Sequence, residues 1–184
     1  MADQAHQAGN VAYRKGDLAN AAKAYSLAFK LDPNEPKYSS NLSAVYYEQG
    51  RYTLCIGSII DSWRALRAKH TSNNHPDTPP LTDALAVKLS LRYVKAKLNR
   101  DSVASNLTNK ANKEKTAEIE RDILKFCSAI ARQNDEASQK TEFQKVWETW
   151  VKAESDQQTP DERAKHRAEA EKRLRDLPIF RSSL

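Results

Sequence analysis

Gly16 and Gly50 stand 34 residues apart, and the residues around them repeat with that offset. Asn10-Val11-Ala12-Tyr13-Arg14-Lys15-Gly16-Asp17-Leu18 lies in register with Ala44-Val45-Tyr46-Tyr47-Glu48-Gln49-Gly50-Arg51-Tyr52. Each small and aromatic run before the glycine reads as one helix, and each run after it as the next. The first unit adds Ala21, Tyr25 and Ala28 and closes at Leu31-Asp32-Pro33. A period of this length is one helical hairpin, which cannot bury its apolar side alone and must stack on its neighbour. Stacked hairpins form a curved solenoid whose concave face suits an extended peptide. The pattern therefore points to recognition and not to catalysis.

The rest of the chain reads as helices separated by clear punctuation. Helices are expected from about Asp3 to Lys15, Leu18 to Leu31, Lys37 to Gln49, and Tyr52 towards Lys69. The last of these carries Ile56, Ile59, Ile60, Trp63 and Leu66 at helical spacing. Residues 70–81 hold three prolines among small polar residues, which predicts an exposed linker. Thr82 or Asp83 can cap a fifth helix, to about Leu98, with Ala84, Val87, Leu91, Val94 and Leu98 as its apolar stripe. It reads as the opening of a degenerate third unit in which Asn99-Arg100-Asp101 replaces the glycine turn. A weakly helical stretch to Asn112 precedes helices over about Lys115–Arg132 and Ala137–Ala153. The second of these carries Phe143, Val146, Trp147 and Trp150, a stripe suited to covering the open end of the stack. Thr159-Pro160-Asp161-Glu162 begins a charged helix to about Asp176, and the apolar Leu177-Pro178-Ile179-Phe180 suggests a polypeptide that continues. The domain reading is 1–69 for two repeats, 70–81 linker, 82–155 degenerate repeat and capping helices, and 156–184 a charged helical extension. The fold class is all-α, a right-handed repeat superhelix.

Charge is concentrated. Between Lys88 and Lys115 eight bases face two acids, an excess of six that equals the formal +6 of the whole chain. Such a cluster favours an acidic partner. Cys55 and Cys127 each fall in an apolar helical pattern, which predicts buried free thiols and no disulfide. No apolar run approaches the roughly 20 residues that cross a bilayer, and the first residues show no leader pattern. The expectation is a cytoplasmic protein without membrane contact, with the nucleus as the alternative.

Residues 5–66 resemble the tetratricopeptide-repeat (TPR) family closely. One subclass of that family binds the acidic C-terminal tail of the large heat-shock chaperones with a two-carboxylate clamp. The clamp takes lysine and asparagine from the first helix, asparagine from the third, and lysine and arginine one turn apart on the fifth. Asn10 follows Gly9, Asn41 stands nine residues before Gly50, and Lys88 and Arg92 share the required spacing. The resemblance implies that Asn10, Asn41, Lys88 and Arg92 hold a terminal and a side-chain carboxylate, with Lys95 meeting acids further upstream. Amide donors would fix oxygen positions while the cations add charge-assisted bonds of roughly 1.5–3 kcal/mol each. Two positions depart from the pattern. His6 stands where the family has lysine, and Arg92 lies 51 residues after Asn41 in place of the 34 of an uninterrupted stack, so the third unit arrives 17 residues late. Asn10 and Asn41 also have a structural reading, because asparagines on inner helices often bond between helices.

No catalytic set competes. The four histidines are scattered, and there is no glycine-rich phosphate loop, nucleophile elbow or metal-spaced Cys/His group. Neither an enzyme activity nor a cofactor is expected. The basic stretch has Tyr93 alone for stacking, so nucleic-acid binding ranks behind a protein partner. The expected function is a protein-interaction module for an acidic C-terminal peptide, adaptor or chaperone-cofactor-like. The alternative is the N-terminal interaction region of a larger protein whose activity lies downstream, similar to fungal multidomain proteins of which several carry a zinc finger elsewhere.

Overall fold

The computed structural model describes residues 1–72, 79–101, 113–133 and 142–156, and divides into the units Met1–Trp147 and Glu148–Leu184. Among the described residues there are seven helices: α1 Ala2–Arg14, α2 Leu18–Leu31, α3 Pro36–Glu48, α4 Tyr52–Ser72, α5 Ala84–Asp101, α6 Lys113–Gln133 and α7 Glu142–Asp156. None is long and apolar enough to cross a membrane. In the first unit α1 packs on α2 and α3 on α4 as hairpins, and α2 packs on α3 to join the two pairs. The described part of the second unit is the end of α7, residues 148–156.

The repeated glycines do identical work. Gly16 and Gly50 take φ of 76° and 70°, a left-handed conformation that a side chain would strain. At the first, Gly16 N–H donates to Tyr13 O at 2.9 Å and Asp17 N–H to Ala12 O at 3.0 Å. At the second, Gly50 N–H donates to Tyr47 O at 3.0 Å and Arg51 N–H to Tyr46 O at 2.8 Å. These are the paired bonds that close a helix at a left-handed residue, and they satisfy the last orphan carbonyls. The next helices start at once. Asp17 caps α2 by accepting from Asn20 N–H at 3.1 Å. Pro36 opens α3 within its first turn, where a missing N–H costs nothing, and Glu35 caps it by accepting from Lys37 N–H.

The core between the repeats is Ala21, Tyr25, Leu42 and Val45, with Ala12, Tyr13, Leu18, Ala22 and Tyr46 packed against it. Gly9 lets α1 approach α2 here, because the Tyr25 ring fills the space beside its Cα. Further along, Trp63 of α4 meets Phe126 of α6 edge-on at 5.2 Å, among Ile59, Leu89, Tyr93 and Ile123, all buried. Arg67 ties α4 to α6 through Asp122 at 2.6 Å. Cys55 and Cys127 are free, and burial pushes both thiols up to about 12.

Several details differ from the sequence expectation. Helix α4 runs through Thr71 and Ser72, and Pro79 is buried, so the exposed linker cannot extend over 71, 72 and 79; residues 73–78 lie outside the described ones. Asp83 is the cap of α5, its Oδ1 accepting from Leu85 N–H at 2.8 Å and Ala86 N–H at 2.9 Å. His70, near the end of α4, approaches the same carboxylate at 3.4 Å, which pins the entry of α5 against α4. No turn interrupts Asn99–Asp101, which continue α5. The buried side of α5 is Ala86, Leu89, Ser90, Tyr93, Val94 and Ala96, not the expected stripe, of which Val94 alone is buried and Ala84 is exposed. Packing against both α4 and α6 selects that face, and the preference of Ser90 Oγ for its own Ala86 carbonyl at 2.8 Å makes a serine tolerable inside it. In α7, Phe143 is buried while Val146, Trp147 and Trp150 are half-buried, and Gln144 Nε2 donates to Ala131 O of α6 at 3.2 Å. The proposed helices over 102–112 and 159–176 lie outside the described residues.

Candidate functional site

The six residues singled out from sequence fall into two adjoining groups. His6 and Asn10 come from α1 and Asn41 from α3, all half-buried. Asn41 Nδ2 lies 2.8 Å from His6 Nε2, and Asn10 Oδ1 accepts from the Tyr25 hydroxyl at 2.7 Å. The His6 ring sits between Tyr25 and Tyr38, at centroid distances of 5.7 and 5.2 Å. Burial lowers the His6 pKa below 6.5, Lys37 lowers it further, and Asp3 and Glu35 only partly offset this. The imidazole is therefore neutral at physiological pH, with Nε2 accepting from the amide. Both asparagines thus also serve the inter-helix role.

Lys88, Arg92 and Lys95 of α5 form the second group. With Tyr13, Ala44, Tyr47, Glu48 and Leu91 they line a groove of about 280 Å³. Its walls come from α1, α3 and α5, and His6, Asn10 and Asn41 are not among its lining residues. Arg92 joins α5 to α3. Nη1 donates to the Ser40 carbonyl at 3.1 Å and to Ser43 Oγ at 2.8 Å, reaching the turn of α3 that carries Asn41. Burial lowers the Arg92 pKa, as expected for a guanidinium withdrawn from water. Lys88 is exposed and Lys95 half-buried.

The sequence reading missed five groove residues. Tyr13 lies three positions after Asn10, and Ala44 and Glu48 three and seven after Asn41, so helical spacing alone puts them on the same faces. The Tyr13 hydroxyl donates to Glu48, which, with burial, raises the Tyr13 pKa to about 12. Glu48 adds a carboxylate to a groove otherwise lined by three cations. Leu91, expected in the core stripe, instead faces the groove. Of the wider basic stretch, the side chains of Arg100, Lys110, Lys113 and Lys115 lie outside the described residues. Among the described residues no cluster of His, Cys, Asp and Glu could hold a metal.

Among the described residues the helices pack pairwise as in TPR repeats, with left-handed glycines closing the first helix of each of the first two hairpins. Residues 9–50 match the TPR repeat family model. The chain carries a TPR region similar to Hsp70-Hsp90 organizing protein 3 of Arabidopsis thaliana, 40% identical over 63 residues, which cover 33% of this chain and 11% of that protein. Hsp70-Hsp90 organizing protein of Triticum aestivum is 38% identical over 65 residues, 34% of this chain and 11% of the relative. A TPR repeat-containing thioredoxin of Arabidopsis thaliana, TTL4, is 36% identical over 62 residues, 34% of this chain and 9% of the relative. The chain thus spans about a tenth of the length of the relatives it matches.

Proposed function

We propose that the groove between α1, α3 and α5 receives an acidic C-terminal peptide, and that the protein acts as an adaptor or chaperone cofactor whose partner is a heat-shock chaperone tail. The observation that carries this reading is the docking of α5 on α3 through Arg92, which brings Lys88, Arg92 and Lys95 beside the helix of Asn41. In the proposed complex Lys88 meets a carboxylate from the solvent side, Arg92 offers the edge of its guanidinium not used on Ser40 and Ser43, and Lys95 meets an acid upstream. Asn10 keeps its amide donors for the peptide, since its bond to Tyr25 uses only Oδ1. Tyr13, Ala44, Tyr47 and Leu91 supply apolar contact for the side chain next to the terminus. Glu48 disfavours a second carboxylate at its end of the groove, which sets the direction of the peptide.

Calorimetry with a peptide ending in Glu-Glu-Val-Asp, free and C-terminally amidated, tests the proposal. The free peptide should bind and the amide should lose most of that affinity. Equal affinity for the two would refute a carboxylate clamp. His6 should strengthen binding when replaced by lysine, because the neutral imidazole contributes no charge to the site.

A further inference from the structure

A second groove, of about 480 Å³, lies between α2 and the end of α3 and shares no lining residue with the first. We propose that it docks an acidic amphipathic helix of a partner protein. Lys23, Leu27 and Lys30 form one stripe along α2 at i, i+4 and i+7, and Leu27 stays 51% exposed between the two cations. Ala22 and its small neighbours beside the stripe leave room for another backbone to come close. Arg51 completes the far wall, its guanidinium held 5.2 Å over the Tyr46 ring.

Charge selects the occupant. Three cations and no carboxylate line this groove, and among the described residues none of the three takes part in an ion pair. Asp17, the carboxylate that feels Lys23, is committed to capping α2 through Asn20. An exposed leucine flanked by lysines asks for an apolar anchor flanked by acids, which is the helix-in-groove mode with anchors at i, i+3 and i+7. The lining residues of α2 run from Ala19 to Lys30, so at about 1.5 Å per residue the groove matches roughly three turns of a partner helix. A nucleic acid fits less well: Tyr46 is the single aromatic ring in the groove, and Arg51 covers its face, leaving no ring for a base to stack on.

The test is an NMR titration of the isotope-labelled full chain with a synthetic peptide of about four helical turns, carrying leucines at i, i+3 and i+7 flanked by glutamates. Shift changes are expected at Ala19–Lys30 and Tyr46–Arg51. The exposed pair Lys23→Glu/Lys30→Glu should weaken binding about tenfold or more, with Lys88→Ala leaving it unchanged. A charge-matched pair elsewhere, Lys15→Glu/Lys152→Glu, should have a clearly smaller effect. No shift changes, changes confined to the α1–α3–α5 groove, equal weakening by both charge-reversed pairs, or changes at this groove with oligo(U) RNA but not with the peptide would each overturn the proposal. Because Lys88 and Arg92 take no part, failure here leaves the carboxylate reading intact, and failure there leaves this one.

Discussion

Replacing Gly9 with alanine sets two known effects against each other at one position. In an open helix interior alanine is better than glycine by about 0.8–1.0 kcal/mol, because it loses less backbone entropy. At Gly9, however, the new Cβ would stand 2.6 Å from Cδ1 and Cε1 of Tyr25 and 3.1 Å from Cγ. Carbon atoms in contact prefer about 3.5–4.0 Å, so the ring must retreat by roughly an ångström. It has nowhere to go: Tyr25 is 2% exposed, packed with Ala21, Leu42 and Val45, and tethered through its hydroxyl to Asn10. Overpacking of this kind costs about 1–3 kcal/mol, and loss of the Tyr25–Asn10 bond would add about 0.5–1.5 kcal/mol. Steric cost therefore exceeds propensity gain, and the net destabilisation should be about 1–3 kcal/mol. In a chain of this size that lowers the melting temperature by roughly 2–4 °C per kcal/mol. The protein carries its own control. A Cβ at Gly57, exposed on α4, would meet nothing within 4 Å. Gly57→Ala should therefore stabilise by about 0.5–1 kcal/mol. Thermal unfolding followed by far-UV circular dichroism measures both variants. A Gly9→Ala protein melting at or above the parent would refute the close approach of α1 to Tyr25.

Two further outcomes follow from the site. Arg92→Ala should lower the melting temperature as well as abolish peptide binding, because it strips the donors from Ser40 O and Ser43 Oγ; exposed Lys88→Ala should weaken binding with the melting temperature unchanged, and equal melting of the two variants would count against Arg92 as the tether of α5. Stability should also fall as pH drops below 6.5. The folded-state pKa of His6 lies below that value, through burial and Lys37 against the opposing Asp3 and Glu35, so the unfolded chain takes up the proton first and the stabilisation present above 6.5 is lost as pH falls through the folded pKa. Urea unfolding between about pH 7 and pH 5 should show this slope, and His6→Gln should flatten it; a slope unchanged by His6→Gln would contradict the assignment.

The sequence by itself determined the first four helices, their hairpin pairing and the place of every turn between them. Its signals there are local: Gly16 and Gly50 are left-handed closures whose bonds all lie within six residues, and Asp17, Glu35 and Pro36 start helices through their own neighbours. A repeat at a fixed offset then transmits the packing of one hairpin to the next. The placement of α5 was not legible in this way. Its apolar residues occur around most of the helix, so spacing could not tell the face that packs on α4 and α6 from the face that carries Leu91 into the groove. Where α5 lies after the insertion depended on contacts between residues distant in sequence. Arg92 to Ser40 and Ser43, and His70 to Asp83 across the connection, fix α5 beside α3, and neither pair leaves a periodic trace. The polar state of the site was likewise a tertiary matter. Asn41 could be read as a ligand from its position, but that it bonds the neutral ring of His6, packed against Tyr25 and Tyr38, is decided only where α1, α2 and α3 meet and partly bury the ring.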